Sequence, residues 1–285
     1  MTDHIKITEC PRDAMQGLHD FVPTNIKAEY INLLLKVGFD TIDFGSFVSP
    51  KAIPQMRDTA EVLSRLDMDN TRSKLLAITA NYRGAEQAAT FDEISYLGYP
   101  FSVSETFQLR NTNTTMEQAF DEIKRINELC TARKKDLLIY LSMGFGNPYE
   151  DKWSEEIVLH WAQMMINEGI GYIALSDTIG VAQPEQISSL YPVLKKLSDI
   201  TEFGVHLHST PDTWQEKIAA AYEAGCSKFD VALKGYGGCP MAKDDLTGNI
   251  ATENLVAFLL HQNVPLDLDL DKLTEAMEFS GKVFG

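Results

Sequence analysis

The fold this sequence predicts is a single (β/α)8 barrel, the TIM-barrel form of the α/β class. Short β-branched or apolar runs alternate with longer amphipathic segments along the whole 285-residue chain. A barrel of this kind needs ~250 residues, so the length holds one barrel and a short tail. No GxGxxG or Walker-type loop follows the first strand, which weakens the rival doubly wound, dinucleotide-binding sheet.

Strands are expected over residues 5–10, 41–45, 75–81, 93–97, 137–143, 172–176, 204–208 and 228–233. Helices are expected between them, over 24–37, 53–66, 84–90, 115–134, 154–168, 184–197 and 213–224, with a last helical stretch over 252–260. The boundaries carry suitable residues: Thr24 can cap the first helix, Ser154 precedes two glutamates, and Pro184 suits a first turn. Gly38, Gly169 and Gly225 each stand just past a helix end. Such alternation calls for parallel strands with helical crossovers. Residues 104–115, polar and rich in Asn and Thr, read as a loop after the fourth strand. No linker or low-complexity tract divides the chain, so residues 1–285 are expected to form one domain with a short C-terminal helical extension.

Composition excludes several functions. The formal net charge of −16 repels phosphate backbones and anionic lipid, which argues against nucleic-acid and membrane partners. The polar opening segment and the lack of any membrane-length apolar stretch predict a cytoplasmic protein. Cys10, Cys130, Cys226 and Cys239 show no CxxC or finger spacing and are expected to be free thiols. The apolar tail around Phe279 and Phe284, with residues 255–260, suits packing on its own barrel or a homodimer contact.

In this architecture chemistry collects at the C-terminal ends of the strands. His206 and His208 are the sharpest feature. Residues i and i+2 of a strand point the same way, so both imidazoles face the barrel interior. Such a pair can hold a divalent cation and leave positions open for substrate; a hydrogen-bonded core pair is the bland alternative. Asp13 would add a hard oxygen ligand suited to Mg²⁺ or Mn²⁺, and Arg12 a permanent cation for a developing oxyanion. A surface Arg–Asp pair competes with that reading, and spacing alone does not separate them. Cys239 follows Gly235, Gly237 and Gly238, which permit a loop over the barrel mouth where a thiol can act as acid or base.

Together these segments resemble the 3-hydroxy-3-methylglutaryl-CoA (HMG-CoA) lyase family. The run from Pro11 to Gln16 is similar to the family's PRDGLQ, and that from Ser46 to Met56 to SFVSPKxxPQM. Asp177-Thr178-Ile179-Gly180 matches DTIG, the histidine pair matches HxH, and Gly237-Gly238-Cys239-Pro240 matches GGCP. Residues 248–253 match the GNxATE continuation, so the matches span nearly the whole chain.

The resemblance implies a barrel that cleaves HMG-CoA to acetyl-CoA and acetoacetate with Mg²⁺ or Mn²⁺. It implies metal ligation by Asp13, His206, His208 and Asn249, enolate stabilisation by Arg12, and protonation by Cys239. Asp177 would assist proton transfer from the tertiary hydroxyl, with His206 and Asp43 also in the catalytic set. Arg12, Gln16, Ser49 and Lys51 are expected to bind the acyl-CoA, Lys51 supplying positive charge for its tail.

Several positions depart from the family pattern. Asp43 stands for Glu, Ser209 for the Asp of HxHD, and Lys234-Gly235-Tyr236 for the Ala-Gly-Leu before GGCP. These bear on the exact acyl group more than on the reaction, so a related aldolase or lyase of another 3-hydroxyacyl-CoA or hydroxy-keto acid is the alternative. A Schiff-base enzyme built on Lys234 is a more distant rival, since it leaves the histidine pair unexplained. Replacing the thiol, Cys239→Ser, is expected to remove most turnover and leave the fold intact. Near-normal kcat in that variant would end the role given to Cys239.

Overall fold

The computed structural model describes residues 4–238 and 247–285. The strands are β1 (Lys6–Glu9), β2 (Thr41–Ser46), β3 (Lys74–Ile78), β4 (Ile94–Ser102), β5 (Asp136–Ser142), β6 (Tyr172–Asp177), β7 (Glu202–Ser209), β8 (Lys228–Val231) and β9 (Gly248–Asn249). The first eight pair in parallel in chain order, and β8 returns to β1 to close the barrel. Around it run α1 (Pro11–Gln16), α2 (Thr24–Val37), α3 (Thr59–Leu63), α4 (Tyr82–Ala88), α5 (Glu105–Thr112) and α6 (Met116–Ala132). They are followed by α7 (Glu155–Asn167), α8 (Pro184–Lys195), α9 (Trp214–Glu223), α10 (Thr252–His261), α11 (Leu270–Phe279) and α12 (Gly281–Phe284). The expected (β/α)8 barrel is the fold observed. No helix among the described residues is long and apolar enough to cross a membrane.

The period-two pattern of the strands splits the core in two. Leu76, Ile78, Leu138, Tyr140, Tyr172 and Ala174 pack together inside the barrel, while the alternate residues face the helices and join the larger outer core. At the N-terminal end of the barrel, Lys6 and Lys228 reach Glu202 at 2.5 and 3.1 Å, and the Lys228 ammonium lies 3.4 Å from the Tyr172 ring centroid. That ionic cluster occupies the lower end of the barrel, while the cavity described below lies at the C-terminal ends of the strands.

The structure corrects three sequence expectations. Residues 11–16, outside every expected helix, form α1, because Pro11 pre-sets the backbone of a first turn. The single helix expected over 53–66 is a 3₁₀ turn, Pro54–Met56, and then α3. Thr59 breaks the run, its hydroxyl donating to the Met56 carbonyl at 2.9 Å and accepting from Ser46 N at 3.2 Å.

The loop expected over 104–115 is largely the helix α5. Ser104 caps it by accepting from Phe107 N at 3.2 Å, and Asn113 ends it in the left-handed region. The tail beyond residue 260, expected to be a short helical extension, holds α11 and α12. Phe279 and Phe284 lie 6.4 and 5.9 Å, ring to ring, from Tyr30 of α2, so the tail packs on its own barrel.

Glu9 ties three segments that converge on the C-terminal face. From β1 it accepts from Leu233 N at 2.8 Å, after β8, and from the Thr252 hydroxyl at 2.5 Å, at the start of α10. Burial raises its pKa to about 8, against the opposing effect of the two hydrogen bonds. The folded protein therefore holds a proton that the unfolded chain, with its ordinary value of 4.5, releases. Stability from this site is full below pH 4.5 and declines as pH rises towards 8. We expect Glu9→Gln, which keeps the shape without the charge, to raise Tm at pH 8 and flatten its dependence between pH 5 and pH 8. An unchanged slope in thermal melts across that window would contradict this assignment.

Candidate active site

The floor of the site begins on α1. Gln16 stands four residues after Arg12 and three after Asp13, one helical turn on, where side chains meet. The Arg12 guanidinium donates from Nη1 to Asp13 Oδ1 at 3.1 Å and to Gln16 Oε1 at 2.9 Å. Gln16 Nε2 donates to the same Asp13 oxygen at 2.8 Å. Arg12's other edge grips Asp43 of β2, with Nε 3.0 Å from Oδ2 and Nη2 alongside. Asp43 has no solvent exposure, and burial lifts its pKa to about 6 although Arg12 opposes the rise.

Across the barrel, β7 brings His206 and His208 to the same side, their Nε2 atoms 3.2 Å apart. Strand register sets Asp230 of β8 opposite His206, and its Oδ2 lies 3.3 Å from His206 Nδ1. Beyond His208, β9 runs antiparallel to β7 with Asn249 opposite that histidine. Asn249 Nδ2 donates to Asp13 Oδ2 at 2.7 Å and to the Tyr236 carbonyl at 2.9 Å. Ligand atoms of Asp13, His206 and His208 all lie within 4.8 Å of one another.

Electrostatics leave lone pairs free on His208 and Asp13. Burial, followed by the neighbouring His206, lowers His208 to about 4, which keeps it neutral. Burial alone would raise Asp13, but Arg12, both imidazoles and the Asn249 amide outweigh it and hold the carboxyl at about 2. His206 is raised, because its bond to Asp230 and the charge of that group outweigh burial.

The buried floor carries Asp13, Asp43 and Asp230 against one guanidinium. Asn249 Oδ1 and Asp230 Oδ1 are buried without a hydrogen-bond partner among the described residues. Two imidazole nitrogens, a carboxylate oxygen and an unbonded amide oxygen, in a floor with surplus negative charge, fit a divalent cation.

Above the floor opens a cavity of about 420 Å³, a size that suits a small-molecule ligand. Arg12, Asp13, Gln16, His206 and His208 line its base. Ser49, Asn81, Ser142 and Thr178 offer polar wall groups, and Val48, Ile53, Ile78, Pro100 and Phe107 an apolar side. Arg110 of α5 lines it as well, stacked 4.7 Å from the Tyr149 ring centroid.

Most of the expected site residues thus come together, and Asn249 joins them through Asp13. Asp43 stands behind Arg12 rather than in the cavity wall. Asp177 points elsewhere: its Oδ2 lies 2.8 Å from Lys217 Nζ and its Oδ1 accepts from Val181 N at 2.8 Å. Lys217 also donates to the His208 carbonyl at 2.8 Å, so Asp177 touches the site only through that lysine. Lys51 is exposed and lines no part of the cavity, and Lys234 is likewise exposed and outside its lining. Cys239 lies outside the described residues.

Sequence reasoning missed Asp230, Lys217 and Arg110. Asp230 had a signal, since a period of two from Lys228 on β8 turns it inward beside His206. Arg110 was hidden by the reading of α5 as a loop. Lys217 carries no signal in an ordinary amphipathic helix.

Comparison with known proteins assigns the chain to a family. The family model described as HMGL-like matches residues 5–279. The mitochondrial hydroxymethylglutaryl-CoA lyase of Mus musculus is 34% identical over 278 residues, covering 96% of this chain and 84% of its own. The hydroxymethylglutaryl-CoA lyase YngG of Bacillus subtilis is 30% identical over 275 residues, covering 96% of this chain and 91% of its own. A solved structure of an HMG-CoA lyase from Acinetobacter baumannii, in complex with coenzyme A and 3-methylmalate, superposes with a TM-score of 0.92 at 33% identity. That superposition covers 99% of this chain and 92% of the other. On the match over residues 5–279, and on relatives at this identity along almost its full length, the chain belongs to the HMGL-like family.

Proposed function

We propose that this chain is an HMG-CoA lyase that cleaves (S)-3-hydroxy-3-methylglutaryl-CoA to acetyl-CoA and acetoacetate with Mg²⁺ or Mn²⁺ bound. The observation that carries the reading is the convergence of His206, His208 and Asp13 at the base of the cavity, with the Asn249 amide oxygen unbonded beside them. These four residues would hold the cation. When bound, it supplies Lewis-acid polarisation of the substrate's 3-hydroxyl and neighbouring carboxylate.

The reaction is a retro-Claisen cleavage. The hydroxyl proton leaves to a base, the C2–C3 electrons pass into the thioester, and a proton returns to C2 of the departing enolate. Arg12 faces the cavity as a permanent cation for the enolate oxygen, and Asp43 fixes its orientation by gripping the guanidinium edge. Cys239 is our donor of the returning proton, a role that rests on the GGCP resemblance. We carry Asp177 forward as a positioning residue, because both its oxygens are bonded away from the cavity.

Gln16 and Ser49 bind the acyl portion, and Arg110 replaces Lys51 as our candidate for the anionic part of the ligand at the wall. A reducing compartment such as the cytoplasm suits the buried, unpaired Cys10, Cys130 and Cys226.

The direct test is a coupled assay of acetoacetate release from (S)-HMG-CoA with Mg²⁺ or Mn²⁺, repeated with EDTA. Turnover that the chelator abolishes is expected. No turnover with metal demonstrably bound would move the substrate to another 3-hydroxyacyl thioester or a hydroxy-keto acid. His206→Ala is expected to abolish turnover with the fold retained. Asp230→Ala, which frees the far side of the His206 ring, should weaken Mn²⁺ binding about 10- to 100-fold. Wild-type Mn²⁺ affinity in Asp230→Ala would contradict the role of that carboxylate.

A further inference from the structure

We propose that an aromatic clamp between Tyr236 and Phe284 holds the Asn249 amide in its metal-binding orientation, which makes both rings positioning residues for the cation site. The inference rests on the metal reading above and adds residues that no part of that reading uses. The Tyr236 ring lies over Phe284 of α12 with centroids 4.3 Å apart and planes 18° from parallel. Phe284 in turn meets Tyr30 of α2 edge-on at 5.9 Å and 85°. Near-parallel and edge-on pairs at these separations are favourable aromatic geometries, each contributing about 0.5–1.5 kcal/mol beyond area burial. The segment after β8 is thereby fastened to the outer helical layer one residue before Gly237.

The consequence for the site runs through the backbone. The Tyr236 carbonyl accepts from Asn249 Nδ2 at 2.9 Å, and the same nitrogen donates to Asp13 Oδ2 at 2.7 Å. Two oxygen acceptors on one side of the amide settle which end is nitrogen, since a flipped amide would set its carbonyl against both. The remaining atom, Oδ1, is then the one left buried and unbonded for a cation.

Space is tight here as well. A Cβ on Gly237 would collide with the Asn249 amide and come within 2.9 Å of Asp13 Oδ2, and this glycine has φ +116°. Displacing the Tyr236 backbone would break its carbonyl's bond to the Asn249 amide. Loss of the Phe284 ring removes the wall that keeps Tyr236 in place and frees the amide to rotate, so the defect should appear in metal affinity.

The test is Mn²⁺ binding to the metal-stripped full-length protein, followed by electron paramagnetic resonance, with Tm of the metal-free forms measured alongside. Phe284→Ala and Tyr236→Ala are each expected to weaken Mn²⁺ binding on the order of tenfold, while Phe284→Tyr keeps the stack and the affinity. A lowered Tm with wild-type Mn²⁺ affinity in both alanine variants, while Asn249→Ala binds weakly, would overturn the clamp and leave the metal site standing. Wild-type affinity in Asn249→Ala would instead overturn the ligand role beneath it, and the clamp with it.

Discussion

At the C-terminal end of the barrel a single guanidinium, Arg12, is shared between two buried aspartates, Asp13 at 3.1 Å and Asp43 at 3.0 Å. A third, Asp230, lies beneath His206 at 3.3 Å. Removing one partner from a buried pair of this kind costs about 3–5 kcal/mol, because the charge left behind has no water. The arrangement nevertheless sets three buried carboxylates against one guanidinium. A divalent cation between Asp13 and the two imidazoles would balance that charge and satisfy the orphaned Asn249 oxygen. The stability of the floor and its affinity for metal are thus one electrostatic problem.

The surrounding structure fixes where these groups stand. Asp177 and Lys217 form a buried pair whose ammonium also holds the His208 carbonyl, which pins the end of β7. Glu9 joins β1 to the segment after β8 and to α10. Gln16 braces both Arg12 and Asp13 from the next turn of α1. Glu9, Asp177 and Lys217 are already buried and Gln16 is half-buried, so the ligands meet without a costly rearrangement when charge develops. The cavity above shares this rigidity at its base, while its wall comes from loops and the end of α5.

Much of this was legible in the sequence. The barrel followed from alternation of period-two and helical segments, and the histidine pair from its i, i+2 spacing on a strand. Asp13 and Arg12 were found, but their helix was not: a six-residue α1 is too short to show a periodic pattern, and Pro11 was its only marker. Asn249 came from family resemblance alone, since nothing local to Gly248-Asn249 announces a two-residue strand against β7.

Asp177 has a partner that short-range reading does not show. A strand-end carboxylate looks catalytic until the lysine that neutralises it, 40 positions away, is seen in contact with it. Long-range partners of this sort, with Asp43 behind Arg12 as a second case, are set by tertiary packing and leave no short-range trace.

The most direct measurement is anomalous diffraction from a crystal of the protein soaked in Mn²⁺. The account predicts one strong peak among His206 Nε2, His208 Nε2, Asp13 and Asn249 Oδ1. No peak there in an otherwise well-ordered barrel, or a peak on the opposite side of His206 between Cys10 and Asp230, would contradict it.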